Sequence, residues 1–232
     1  MTLDPQALFY ALLGGILPAL LWLWFWLKED ARRPEPRGMI MLSFFAGMLA
    51  VAIAFPAEKY LASIIAPGAT LLSAWAVTEE FLKLAAFALL AARSRYFDEP
   101  IDAFIYMVTV ALGFAALENT LFLISPLIDG ELLASVVTGN LRYIGPTLLH
   151  VAASGIIGIS IGAAFYKNAA VRAASLIAGF FAASVLHLLF NFFILSESDI
   201  PVFLVYLTLW FVIVALIFLL ERIKKIKRKK FL

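Results

Sequence analysis

Two adjacent carboxylates, Glu79 and Glu80, stand inside an apolar run, WAVTEEFLKLAAFALLAA (Trp75–Ala92), with Lys83 one turn further on. The only two histidines of the chain, His150 and His187, also fall in apolar runs, as do Glu118, Asn119 and Asn191. A carboxylate at the centre of a membrane helix costs about 2.5–3.5 kcal/mol on insertion scales, so this set calls for a function or a compensating partner. A glutamate with two histidines is a zinc-type ligand set, and a glutamate free of the metal can act as base on a bound water. No H-E-x-x-H is present, which excludes the thermolysin-like helix. Without a metal, a glutamate and a histidine can together activate water, while the second histidine and Asn191 stabilise an oxyanion. Both routes end in hydrolysis of a carbonyl compound. Absence of cysteine removes thiol nucleophiles and thiolate metal sites. Ser154, Ser160 and Ser184 lie in no G-x-S-x-G elbow, and Gly155 and Gly158 beside the first two suit helix packing instead.

Local spacing adds roles. Lys83 is i+4 from Glu79 and i+3 from Glu80, within reach of either carboxylate. The two glutamates project about 100° apart on a helix, so at most one points squarely at a common centre. His187 and Asn191 are i,i+4 and share a face.

These residues need elements to hold them. Of 232 residues, 64% are hydrophobic, and mean hydropathy is +0.99; a soluble domain is about 45–50% apolar. Only helices and closed barrels satisfy their backbone in lipid, and apolar runs of about 20 residues without ten-residue alternation select helices. The expected fold is all-α, a polytopic transmembrane bundle forming a single integral membrane domain over 1–232. Seven spans are read at Ala7–Leu27, Met39–Phe55, Ala69–Ala92, Ile101–Ile124, Tyr143–Tyr166, Ala173–Leu195 and Val202–Leu220. The candidate residues lie in a core of about 69–195, and a basic tail occupies 221–232. The first span lacks a basic n-region and an A-x-A site and reads as an uncleaved anchor, with Pro18 expected to kink it.

Positive charge orients the spans. Lys28, Arg32, Arg33 and Arg37 lie in the first connection, Arg93 and Arg95 in the third, Lys167 and Arg172 in the fifth. The tail carries Arg222, Lys224, Lys225, Lys227, Arg228, Lys229 and Lys230. The intervening connections hold only Lys59 and Arg142, with Glu58, Asp129, Glu131, Glu197 and Asp199. The expectation is an N-terminus outside and a C-terminus in the cytoplasm, with the basic tail favouring anionic lipid. A net charge of +2 gives no reason to expect a nucleic-acid partner. Pro56–Gly68 and Ser125–Asn140 are read as long, mildly amphipathic outer connections, the second with Leu127, Ile128, Leu132, Leu133, Val136 and Val137 on its apolar side; loop packing is preferred over a rim that admits a substrate helix. Asp98-Glu99-Pro100 and Asp102 read as an ordinary helix start.

The orientation sharpens the site. Glu79, His150, His187 and Glu118 lie about ten, seven, eight and six residues from the outer ends of their spans. At ~1.5 Å per residue these levels agree within ~6 Å, one layer in the outer half of the bilayer. Ionisable groups in membranes face the bundle interior, so the layer is expected to close into a cluster. The rival readings are a proton-coupled transporter, which predicts paired repeats that the sequence lacks, and a non-catalytic scaffold using these residues as interhelical glue.

EEFLK at Glu79–Lys83, FDEPIDA at Phe97–Ala103, GFAALEN at Gly113–Asn119, a lone histidine at His150 and H-x-x-x-N from His187 to Asn191 together resemble the PrsW family of intramembrane proteases. That family is similar to the CAAX prenyl endopeptidases, which place an arginine where this chain has Leu84. The resemblance implies a multi-pass peptidase of the prokaryotic cytoplasmic membrane that cleaves a single-span membrane protein, such as an anti-sigma factor, on its outer side. A lipid-modified peptide is the alternative substrate. Carried over residue by residue, it implies Glu79 or Glu80 as base with His150 and His187 as partners. Glu79 is preferred as base, with Glu80 behind it. Asn191 is implied as a ligand or oxyanion donor, and Lys83, Glu118 and Asn119 as supporting residues. A zinc ion, if bound, would take Glu79, His150, His187 and Asn191; a metal-free route stays open.

Overall fold

A computed structural model describes residues 5–195 and 201–227. The expected charges Glu197, Asp199, Arg228, Lys229 and Lys230 lie outside the described residues, as do the side chains of Leu132 and Leu133. The described chain is helical: α1 (Pro5–Leu27), α2 (Arg37–Ile64), α3 (Ala69–Leu90), α4 (Asp102–Ile128), α5 (Leu132–Ile144), α6 (Pro146–Ala163), α7 (Ala169–Leu195) and α8 (Val202–Ile223). Among the described residues six stretches are long and apolar enough to cross a membrane, counting Ser135–Ala163 as one. α3 has the length as well but carries the charged trio, and all three of those side chains are buried in the bundle.

α4 is the axle. Every residue from Asp102 to Ala116 is buried, as suits a helix that is apolar on all sides. α1, α2 and α6 are its main neighbours. Small residues let the backbones close: a Cβ on Gly47 would fall on the Val110 carbonyl, one on Gly113 on the Phe44 carbonyl, and one on Gly158 would lie 2.6 Å from Phe104 Cα. α1 runs antiparallel to α4, since Gly15 meets Thr120 and Trp26 meets Phe104 at a centroid distance of 5.1 Å. The bundle thus has an amino end, where α1 starts, and a carboxy end, where α8 finishes. Outer faces carry Phe9, Phe45, Phe181, Phe211 and Phe218, all exposed, as a lipid-facing surface requires.

Three boundaries differ from the sequence reading. The second span is not the shortest: α2 continues through Pro56 to Ile64 and has 28 residues. Proline removes one helical hydrogen bond, a loss that membrane helices tolerate when neighbours support the segment; here Trp75 Nε1 donates to the Glu58 carbonyl at 3.1 Å. Ser125–Asn140 is not one connection. α4 runs to Ile128, turns at Gly130 (φ +76°) and gives way to a separate helix, α5. The fifth span then starts at Pro146, not Tyr143, because Gly145 breaks the backbone and proline fits the first helical turn.

The carboxy end is polar. Asp102 Oδ2 accepts from the backbone N–H groups of Asp98 (2.8 Å) and Glu99 (2.6 Å), closing the helix start foreseen for Asp98-Glu99-Pro100. Arg33 pairs with Glu99, and Tyr106 OH donates to Glu35. Burial pushes the Glu35 carboxyl above the usual carboxylate range, against the pull of that hydrogen bond.

Candidate active site

α3 offers Glu79 and Glu80 to the bundle interior. Glu80 is fully enclosed and held from three sides: Lys83 Nζ donates to its Oε1 at 2.5 Å, His187 Nδ1 lies 2.8 Å from the same oxygen, and Ser154 Oγ reaches Oε2 at 3.5 Å. Glu79 Oε2 is also buried but has no hydrogen-bond partner. It lies 3.9 Å from His150 Nδ1 and 3.8 Å from His187 Nε2. The ~100° between neighbouring helix positions sends the two carboxylates to opposite sides of His187: Glu80 meets Nδ1 and Glu79 faces Nε2.

The histidines come from α6 and α7, with ring centroids 5.4 Å apart. Lys83 Nζ also lies 2.9 Å from His150 Nδ1. An ammonium has only donors, so Nδ1 accepts and the ring proton sits on Nε2, which donates to Glu118 Oε2 at 3.0 Å. His187 has the opposite pattern, because its Nδ1 faces a carboxylate and so carries the proton.

Every sequence-derived candidate is near this point. Glu79, Glu118, His150, His187 and Asn191 line one cavity of about 430 Å³. Glu80 and Lys83 lie behind its wall, and Asn119 bonds to Thr147 Oγ1 and Arg142 next to Glu118. Much of the remaining wall is apolar, with Val51, Phe114, Leu121 and Phe190 among its residues. The cavity lies in the half of the bundle toward the amino end, where α5 and the ends of α2 and α7 meet.

Three lining residues had no role in the sequence reading. Glu58 places its carboxyl against that of Glu79; its position in a supposed loop hid it, and the continuation of α2 brings it inward. Trp75 closes the wall beside it. Arg142 pairs with Glu118 at 2.6 Å. Its signal was present as a basic residue in an otherwise acidic connection, a place where the charge rule gives it no work.

Glu79, His150 and His187 each offer one ligand atom, all within 4.8 Å of one another. A tetrahedral zinc with bonds of about 2.0–2.1 Å holds its ligand atoms roughly 3.4 Å apart, so the two Glu79 to histidine separations of 3.9 and 3.8 Å would have to contract by about half an ångström around it. With Glu79 Oε2 buried and unpartnered, the group fits a metal. Glu80 behind His187 is the carboxylate partner typical of a metal-binding histidine.

A profile of the PrsW family intramembrane metalloproteases matches residues 35–217. The chain belongs to the PrsW family. Three proteins named Protease PrsW are similar to it. That of Geobacillus kaustophilus is 29% identical over 160 residues, covering 68% of this chain and 68% of the relative. That of Bacillus subtilis is 27% identical over 203 residues, covering 83% and 86%. That of Oceanobacillus iheyensis is 27% identical over 195 residues, covering 82% and 86%. No solved structure matches the chain. As a PrsW family member the chain is an intramembrane protease, and the transporter and scaffold readings give way. It is a multi-pass membrane protein with a buried Glu–His–His group able to hold a metal.

Proposed function

We propose that the cavity hydrolyses a peptide bond of a single-span membrane protein of the anti-sigma-factor kind, at the outer face of a prokaryotic cytoplasmic membrane. The observation that carries this reading is Glu79 Oε2: buried, unpartnered and flanked by two imidazole nitrogens at 3.8 and 3.9 Å. An uncompensated carboxylate oxygen in a membrane interior is expensive, and a role in binding or proton transfer accounts for it. A cavity of about 430 Å³ takes a short extended peptide, not a folded domain. A substrate helix must therefore unwind there, where polar groups and not lipid meet its backbone.

Zinc, held by Glu79, His150 and His187 with Asn191 as the further donor, would supply a Lewis-acidic centre that polarises the scissile carbonyl and acidifies water. The protein's own work is separable from that. Where no metal occupies the group, Glu79 Oε2 is free to take the proton of the attacking water as the oxygen bonds to the carbonyl carbon, and to return it to the leaving amine as the C–N bond breaks. Asn191, one turn from His187 and half-buried on the cavity wall, offers its amide N–H to the developing oxyanion. Glu80 and Lys83 hold His187 and His150 at their Nδ1 atoms. For His150 to use Nδ1 as a metal ligand, Lys83 has to withdraw onto Glu80 alone.

The test is metal analysis of detergent-purified protein alongside cleavage of a single-span substrate. One zinc per chain, lost with activity on chelation and regained on its return, is the expected result. Full activity after stringent chelation, with no bound metal, removes zinc from the reading and leaves the Glu79 route.

A further inference from the structure

Glu118 has no part in the hydrolysis just described, yet it holds Nε2 of His150, the ring nitrogen other than the one that faces Glu79 and Lys83. Its Oε2 accepts from His150 Nε2 at 3.0 Å and from Arg142 Nη2 at 2.6 Å. Arg142 is in turn fixed. Its Nε donates to Asn119 Oδ1 at 2.8 Å, and its guanidinium lies over the Phe122 ring, 3.7 Å from the centroid. Asn119 Nδ2 donates to Thr147 Oγ1 at 2.9 Å, and Thr147 Oγ1 donates to the Arg142 carbonyl at 3.0 Å. Thr147 is one turn before His150 on α6. The bonds form a closed ring across α4, α5 and α6 and leave no slack in the position of Glu118. Side chains of Arg142 and Glu118 are 14% and 20% exposed, so water competes little for the pair, and Arg–carboxylate bonds of this kind are the strong ones.

We propose that Glu118, seated by Arg142, is a positioning residue for the protease reaction: it holds the His150 proton on Nε2 and, with Lys83 on the other side of the ring, keeps the Nδ1 lone pair turned toward the Glu79 side of the cavity. Carboxylates behind a working histidine fix its tautomer and ring orientation, and their loss typically costs about 10–100-fold in metal affinity or activity. The alternative is that Arg142 merely pins α5 to the bundle, with His150 indifferent to it. The proposal rests on the active-site reading for the role of Nδ1, and its primary readout does not depend on catalysis.

The chain has two histidines, so full-length protein labelled with 15N-histidine shows two imidazoles. The signals are assigned with His150→Gln. In the wild type, His150 is expected as the Nε2–H tautomer. Because Lys83 also donates to Nδ1, the tautomer of the variants is read with Lys83→Met added: there Glu118→Leu and Arg142→Leu turn His150 into a tautomer mixture, while His187, whose partner is Glu80, keeps its pattern. Arg142→Lys, which retains the charge, restores most of the wild-type pattern. Cleavage by the Leu variants falls about 10–100-fold, in kcat and not in KM. A wild-type His150 carrying its proton on Nδ1 overturns the proposal, and so does an Nε2–H tautomer that stays unchanged in both Leu variants once Lys83→Met has removed the donor at Nδ1. If those variants unfold, which a lost His187 pattern would report, Arg142→Gln carries the same test at lower structural cost, and an unchanged tautomer there is equally decisive. A wild type that cleaves nothing contradicts the active-site reading and leaves the tautomer result standing.

Discussion

Glu79 and Glu80 are neighbours in sequence with opposite surroundings, and substitution should separate them. Glu80 is locked to Lys83 and His187 with no exposure. Glu80→Gln leaves Lys83 as a buried, poorly compensated charge, and breaking such a pair costs about 3–5 kcal/mol. A clear fall in the melting temperature of the detergent-solubilised protein is expected, with most of the loss recovered in Glu80→Gln/Lys83→Met, where neither charge remains. Glu79 Oε2 has no partner to lose, and an amide can still face the Glu58 carboxyl, so Glu79→Gln should melt no lower than the wild type. A destabilised Glu79→Gln would mean that the carboxylate is structural. Spacing alone made the pair and its link to Lys83 legible in the sequence. Which carboxylate faces the cavity was not legible, since a helical offset of about 100° gives a relative direction but not where the centre lies. Asn191 and the histidines were legible for a simpler reason: polar residues are rare enough in this chain that few could be partners.

At the scale of the elements, the site depends on how closely α2 and α6 approach α4. Gly113 and Gly47 allow the α2–α4 contact, and a methyl on Gly113 would strike the Phe44 carbonyl, which is backbone and cannot swing aside. Gly113→Ala should cost about 1–3 kcal/mol or more, read as a lower melting temperature, and should lower activity because α2 carries Glu58 and Val51 of the cavity wall. An unchanged melt would contradict this packing. The spans were readable from apolar length because lipid forces the backbone into helices. Their ends were not readable where proline misled. Pro56 suggested a break but lies inside α2, whereas Gly145-Pro146 makes a real one between α5 and α6. That error also hid Glu58, and the separate helix α5 hid the reach of Arg142 to Glu118. Such pairings are set by the docking of helices distant in sequence, and no local pattern encodes them.

Taken as a whole molecule, the bundle has a cavity lined by ionisable groups toward its amino end and a set of acidic and basic contacts at its carboxy end. The charge distribution expects the amino end to face outward, and the absence of cysteine from the chain makes that directly testable. A single cysteine placed at Asp129, exposed beside Gly130 in the α4–α5 turn, should react with a membrane-impermeant maleimide in intact cells, and one placed at Ser94, in the α3–α4 connection, only after permeabilisation. The reverse pattern would invert the orientation and place the cavity on the cytoplasmic side. The depth argument from the sequence needed no side-chain detail, because helix rise alone brings Glu79, Glu118, His150 and His187 to one level, and their observed separations of 3.0–3.9 Å along the chain of contacts agree with it. The central claim is that this layer, through Glu79, carries out the hydrolysis. Its most direct test is cleavage of a single-span substrate by purified wild type and by Glu79→Gln protein of equal melting temperature. A fall of about 10²–10⁴-fold, the usual contribution of a positioned acid–base group, is the predicted result; cleavage by Glu79→Gln at the wild-type rate would contradict it.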